Sequence, residues 1–389
     1  MSKDIVIVAA KRTPIGGFLG KLSHLSATEL GVISHLACIE QASIPDKMVD
    51  EVIMGCVLPA GLGQAPARQT AIKAGLGHQV VCSTINKVCG SGMQSIIHAC
   101  DAIQNGRSQV VIAGGMESMS NAPYLLPKAR SGYRLGHGEC LDHMWLDGLQ
   151  DAYDREKKLM GYFGELTAKT LNISREEQDR FARQSMEKAL SAQKKGAFLS
   201  ELAIVLETNE TVLIDEQPSE HKLDKLPRLK PVFQKDGSIT AGNASSIADG
   251  AASLMLMTEE QAKTLNLSPL AKIKGFASYA QAPEWFTTAP AHSIKKLLKK
   301  INWQIHDVDL WEINEAFAVV TLAAIQELNL DPQKVNIHGG ACALGHPIGA
   351  SGARIVVSLI YAMLQENRKK GIASICIGGG EALAIALER

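Results

Sequence analysis

The stretch Val88-Cys89-Gly90-Ser91-Gly92-Met93 reads as the start of a helix, and Val110-Val111-Ile112-Ala113 with Gly114-Gly115 as the strand that follows it. Far along the chain, Gly349-Ala350-Ser351-Gly352-Ala353-Arg354 opens another helix, and Ile372-Ala373-Ser374-Ile375-Cys376-Ile377 with Gly378-Gly379 forms the next strand. The likeness of the two passages points to a divergent internal duplication. Two related halves would bring loops from each to one interface.

Working outward, Ile5-Val6-Ile7-Val8-Ala9-Ala10 reads as a buried strand and Glu51-Val52-Ile53-Met54-Gly55-Cys56 as a second. Ser26-Ala27-Thr28-Glu29 has capping-box spacing and predicts a helix to about residue 42. Strands alternating with helices predict an α/β fold with a mostly parallel sheet covered on both faces. Between residues 120 and 247 proline, glycine, tyrosine and charge increase, and Ser174-Arg175-Glu176-Glu177 marks another helix start. The reading is a core domain over 1–119, an inserted loop domain over 120–247 and a second core domain over 248–389. Residues 248–268 are an alternative completion of the first core.

The chain has 389 residues, 46% hydrophobic content and 34 glycines, which suits a helix-and-sheet enzyme better than a disordered chain. With 40 basic and 40 acidic residues there is no global electrostatic case for nucleic acid. No apolar run reads as long enough to span a membrane, and the opening run lies too close to the start for a signal peptide. Cytoplasm is the expected location. The 8 cysteines form no C-x-x-C pair, and His338, Cys342, His346 and Cys376 have poor spacing for zinc. Free thiols fit a reducing compartment.

Cys89 carries the chemistry. A helix start offers unpaired amide hydrogens and a positive dipole end, which can lower a thiol pKa and hold an oxyanion beside the sulfur. Glycine-dense stretches around His346 and Cys376 let backbone approach a ligand closely. A thiol, an imidazole and a second thiol make covalent acyl transfer plausible. Taken singly, Cys89 also reads as a small buried hydrophobe, His346 as a histidine bridging backbone groups and Cys376 as an inert strand-end thiol.

Together, Cys89 in its glycine-rich turn, Asn314-Glu315-Ala316-Phe317, Gly345-His346-Pro347-Ile348-Gly349 and Cys376-Ile377-Gly378-Gly379-Gly380 resemble the ordered motif set of thiolases. The resemblance runs over nearly the whole chain and implies a duplicated thiolase-like fold with an inserted loop domain. It implies acetyl-CoA C-acetyltransferase activity, interconverting two acetyl-CoA with acetoacetyl-CoA and CoA. Cys89 would take the acetyl group, His346 activate it and Cys376 exchange a proton with the substrate carbon. Asn314 would position a water and share one oxyanion hole with His346, and the amides of Cys89 and Gly378 would form the other. Coenzyme A is then a substrate, with no separate cofactor and no metal, and the assembly is a homodimer or homotetramer without nucleic acid or membrane.

By the same resemblance, Ser245 in Gly242-Asn243-Ala244-Ser245-Ser246 approaches the pantetheine arm and Met160 belongs to the acyl-pocket segment. Lys222 and Lys225, with Arg228 and Lys230, are candidates for the coenzyme A phosphates; a solvated charged face is the alternative. His338 and Cys342 read as packing residues, and Glu315 as a loop-holding carboxylate. The chain departs from the pattern at Leu159, where a histidine often stands, at Glu284-Trp285-Phe286, and at Pro218-Ser219-Glu220, where an arginine is not evident. A broad-chain 3-ketoacyl-CoA thiolase, or a coenzyme A-binding protein without turnover, therefore stays as an alternative.

Overall fold

The computed structural model describes residues 4–206 and 211–389. The nine long strands are β1 (Ile5–Arg12), β2 (Glu51–Gly55), β3 (Val81–Ile85), β4 (Val110–Ser118), β5 (Ala248–Thr258), β6 (Ala271–Ala280), β7 (Leu310–Ile313), β8 (Lys370–Ile377) and β9 (Glu381–Glu388). The main helices are α1 (Ala27–Ala42), α2 (Pro66–Lys73), α3 (Ser91–Gln104), α4 (Met160–Thr170), α5 (Arg175–Lys194), α6 (Ala289–Ile301), α7 (Ala318–Leu328) and α8 (Ile348–Gln365).

The strands run in the order β7-β8-β9-β6-β1-β5-β4-β2-β3. Outward from the β1–β6 seam, both halves repeat one pattern: two antiparallel pairings and then a parallel one. Where the first half adds β3 beyond β2, the second has a single parallel bridge between Trp311 and Val335. The duplicated fold is thus carried by matching strand order and direction. The expectation of a mostly parallel sheet fails at the seam side of each half, because β9 follows β8 directly through Gly378-Gly379-Gly380, and a tight turn can only return antiparallel. Strand β5 pairs with both β1 and β4, so the chain re-enters the first half after residue 247.

Helices α3 and α8 lie side by side between the half-sheets. Ile96 and Ile103 of α3, Val356 and Ile360 of α8, Val111 and Leu254 of the first half and Ile375 and Ile385 of the second share one buried cluster. Each such side chain contributes roughly 1.5–3 kcal/mol. Outer layers are α1 and α2 on the first half and α6 and α7 on the second. Both sequence-predicted capping boxes form, Ser26 with Glu29 and Ser174 with Glu177. By length and composition α8 could cross a membrane, against the reading that no apolar run is long enough, yet 89% of its apolar window is buried in the protein.

The two central helices touch backbone to backbone. A β-carbon on Gly92 would stand 2.8 Å from Ala353 N, and one on Gly352 2.5 Å from Met93 N. Each glycine faces the residue that follows the other, a reciprocity expected of two equivalent helices crossing at equivalent points.

Candidate active site

Cys89 sits not inside α3 but in the turn before its N-cap, Gly90. Val88 holds a φ of +46°, a left-handed conformation that costs a β-branched residue roughly 1–3 kcal/mol. Side chains fix it there: Asn86 Oδ1 accepts the Val88 N–H at 2.9 Å, and Ser91 Oγ donates to Val88 O at 2.7 Å while accepting the Lys87 N–H at 2.8 Å. The strained turn lifts Cys89 onto the wall of a cavity of about 910 Å³.

The sulfur receives N–H groups from Gly378 and from Cys89 itself, so amides of both halves converge on one atom. Burial outweighs them and pushes the thiol up to about 11. This corrects the expectation of a thiol acidified by a helix start: Cys89 rests protonated and needs a base.

His346 supplies one. Its Nδ1 lies 2.6 Å from Ser351 Oγ, and that hydroxyl donates to Pro347 O at 2.9 Å. With its proton committed, Ser351 can only accept, so Nδ1 carries the ring proton and Nε2 keeps its lone pair. Nε2 is buried without a hydrogen-bond partner, and His346 is on the cavity wall. Burial, then the positive charge of Arg354, pulls the imidazole down to about 3, leaving it neutral.

Cys376 and Asn314 stand behind the wall, each 1% exposed. Cys376 packs with Phe163, Phe286, Phe317 and Met160, and burial first, then proximity to Cys89, raises its thiol well above the ordinary value. Asn314 Oδ1 accepts from Arg354 Nη2 at 3.4 Å, and its Nδ2 has no partner.

Ser245, Met160, Leu159 and Lys222 line the same cavity. Lys222 Nζ donates to Gln217 O at 2.8 Å and Oε1 at 3.1 Å. Lys225, Arg228 and Lys230 are exposed and are not on the wall. Phe286, not Trp285, faces the cavity; the Trp285 carbonyl accepts from Gln281 and Thr288. Glu315 accepts from Ser185 Oγ at 2.7 Å, Asn336 Nδ2 at 2.8 Å and Cys342 N–H at 3.0 Å, tying three segments together. His338 packs edge-on to Phe198 in a separate hollow. Among the described residues no three His, Cys, Asp or Glu side chains gather as a metal set.

Sequence reasoning missed Glu117. Its carboxylate accepts the N–H groups of Val57 at 2.9 Å, Leu58 at 3.1 Å and Gly349 at 2.9 Å, pinning the loop after β2 and the first turn of α8 to the end of β4. Burial pushes it up to about 7. A lone acid ending the apolar run of β4 was the available signal.

Two family models cover the chain: the thiolase N-terminal domain over residues 5–260 and the thiolase C-terminal domain over 267–389. The chain belongs to the thiolase family. It is 50% identical to acetyl-CoA acetyltransferase 1 of Arabidopsis thaliana, over 99% of this chain and 94% of that protein. Among solved thiolase structures, the acetyl-CoA acetyltransferase of Bacillus anthracis superposes with a TM-score of 0.96 at 43% identity, covering 100% of this chain and 99% of that one. Human mitochondrial 3-ketoacyl-CoA thiolase gives 0.96 at 38% identity, covering 99% and 98%.

Proposed function

We propose that this thiolase is an acetyl-CoA C-acetyltransferase working through an acetyl-Cys89 intermediate. Neutral His346 Nε2 takes the thiol proton as Cys89 sulfur attacks the thioester carbonyl; the oxyanion forms against the N–H groups of Cys89 and Gly378, and the departing CoA thiolate takes the Cys376 thiol proton. A second acetyl-CoA then gives an α-proton to the Cys376 thiolate so formed, with Asn314 Nδ2 and the His346 Nε2–H supporting the enolate. That carbon attacks the acetyl group, acetoacetyl-CoA forms, and Cys89 leaves as the thiol with the proton returned by His346. Coenzyme A is substrate and product. The observation that carries this reading is the free Nε2 of a tautomer-locked His346 in one cavity with a protonated Cys89 held by two amides.

Ser245, Met160 and Lys222 line the cavity beside this chemistry, and we assign them to the coenzyme A arm and acyl group. Lys225, exposed nearby, is assigned to the phosphates only through solvent-facing contact. A homodimer or homotetramer is supported by β3, which pairs on one side only, and by exposed Tyr124, Leu126 and Leu135 in the insertion. A reducing, cytoplasmic setting suits a chain whose cysteines, among the described residues, are all free.

A broad-chain 3-ketoacyl-CoA thiolase is the second reading, favoured by the cavity volume and by Leu159 on its wall. A substrate series in the thiolytic direction decides: the first reading expects kcat/KM to be highest for acetoacetyl-CoA and to fall as the chain lengthens, with about 1–3 kcal/mol per methylene as the usual discrimination. Equal or greater values for long 3-ketoacyl-CoA substrates would establish the second. No turnover with any of them would leave a coenzyme A-binding protein.

A further inference from the structure

Behind the site lies a buried charge that the mechanism above does not use. Arg354, on α8, is 2% exposed, and its Nε and Nη1 have no hydrogen-bond partner. Nη2 donates to Asn314 Oδ1 at 3.4 Å, while Nη1 stands 3.7 Å from Glu312, beyond hydrogen-bond reach. Burying an arginine against so few partners is costly, and a guanidinium stays charged.

An amide side chain has two ends that differ in chemistry and hardly in shape. A cation beside Oδ1 repels the NH₂ end, so the guanidinium decides which way Asn314 is turned. Oδ1 faces Arg354, and Nδ2 is left as the free donor. Around Arg354 the other charged groups are Glu312, Arg12, Glu201 and Glu315. Glu201 and Asp215 are taken up by Arg12 in a buried ion pair of their own, and Glu315 by its three donors. Glu312 is pushed up by burial against the pull of Arg354, and at 3.7 Å it gives the guanidinium an ion pair but no hydrogen bond.

We infer that Arg354 is a positioning residue that turns the donor end of Asn314 toward the reacting substrate. The inference rests on the proposed acetyl-Cys89 mechanism. It assigns Arg354 chiefly to the carbon–carbon step, since Asn314 supports the enolate and plays no part in acetylating Cys89.

The test separates the two half-reactions in Arg354→Met, Arg354→Lys and Glu312→Gln. Acetylation of Cys89 by acetyl-CoA is followed by rapid-quench mass measurement, and acetoacetyl-CoA formation by absorbance. In Arg354→Met, acetylation at pH 8 should stay within about threefold of wild type while condensation falls about ten- to a hundredfold, the span of a charge-assisted hydrogen bond. Arg354→Lys, which keeps a cation beside Asn314 Oδ1, should recover condensation to within about tenfold of wild type. Glu312→Gln, which keeps the guanidinium and its contact with Asn314, should leave both steps within about threefold. Equal loss of both steps in Arg354→Met, no recovery of condensation in Arg354→Lys, or a condensation defect in Glu312→Gln would overturn the assignment. Wild-type protein that never acetylates Cys89 would instead refute the underlying mechanism.

Discussion

Ser351 Oγ and His346 Nδ1 stand 2.6 Å apart, and because the hydroxyl proton is spent on Pro347 O, the pair fixes which imidazole nitrogen can act as base. The catalytic lone pair is therefore set from the first turn of α8, just beyond His346. Ser351→Ala should release the tautomer and slow acetylation of Cys89 about tenfold, equivalent to one ordinary hydrogen bond, with KM for acetyl-CoA little changed. Stopped-flow release of CoA measures this; an unaltered rate would remove Ser351 from the mechanism.

Exposure to acetyl-CoA should add one acetyl group to the intact protein, and Cys89→Ala should abolish the label. In His346→Ala the remaining thiol has no base and titrates near 11, so alkylation of Cys89 should keep rising with pH through 9 and 10. A plateau near neutral pH would mean that burial does not govern this thiol.

Cys376→Ala should leave that acetyl label in place and reduce condensation by about 10²–10⁴-fold, the usual reach of a positioned acid or base. Rapid-quench acetylation beside steady-state turnover distinguishes the steps. Parallel loss of both would reassign Cys376 to structure.

His35 offers a test away from the chemistry. Fully buried between Ser253 and Thr70, it is lowered by burial to about 4, so the unfolded chain binds the extra proton between the ordinary histidine range and that value. Its contribution to stability is complete above about pH 6.5 and is lost as pH falls toward 4, by up to about 3 kcal/mol. Urea unfolding of wild type and His35→Asn should give curves whose separation shrinks over that interval. A constant separation would show that the imidazole takes up its proton inside the fold.

Substituting Phe286, 3% exposed on the cavity wall, by leucine should raise the relative kcat/KM for longer 3-ketoacyl-CoA substrates by about tenfold per methylene admitted, while Trp285→Leu should not. A thiolysis series measures both variants.

Much of this was legible in the chain. Both capping boxes, the strands starting at Ile5, Glu51 and Val110, and the motifs bearing Cys89, His346 and Cys376 announce themselves through local pattern. What stayed hidden depends on three-dimensional neighbours. Val81-Cys82-Ser83-Thr84-Ile85 lies at an edge with little burial to mark its period. Glu117, Ser351 and Arg354 act through partners far away or through a proton inventory that no spacing encodes. The state of the Cys89 thiol was misread because a helix start is visible in sequence, whereas desolvation is not.

The facing of Gly92 with Ala353 and of Gly352 with Met93 has a consequence for descent. Nucleophile and base each sit just ahead of one of these crossing helices, and a methyl gained at either glycine would meet the backbone of the facing helix. The outer layers of the two copies are free to diverge. Their inner helices remain bound to a common spacing, and a separated half would present a bare glycine seam with half the catalytic set attached. Fusion of the copies in one polypeptide keeps that spacing under the control of a single inheritance.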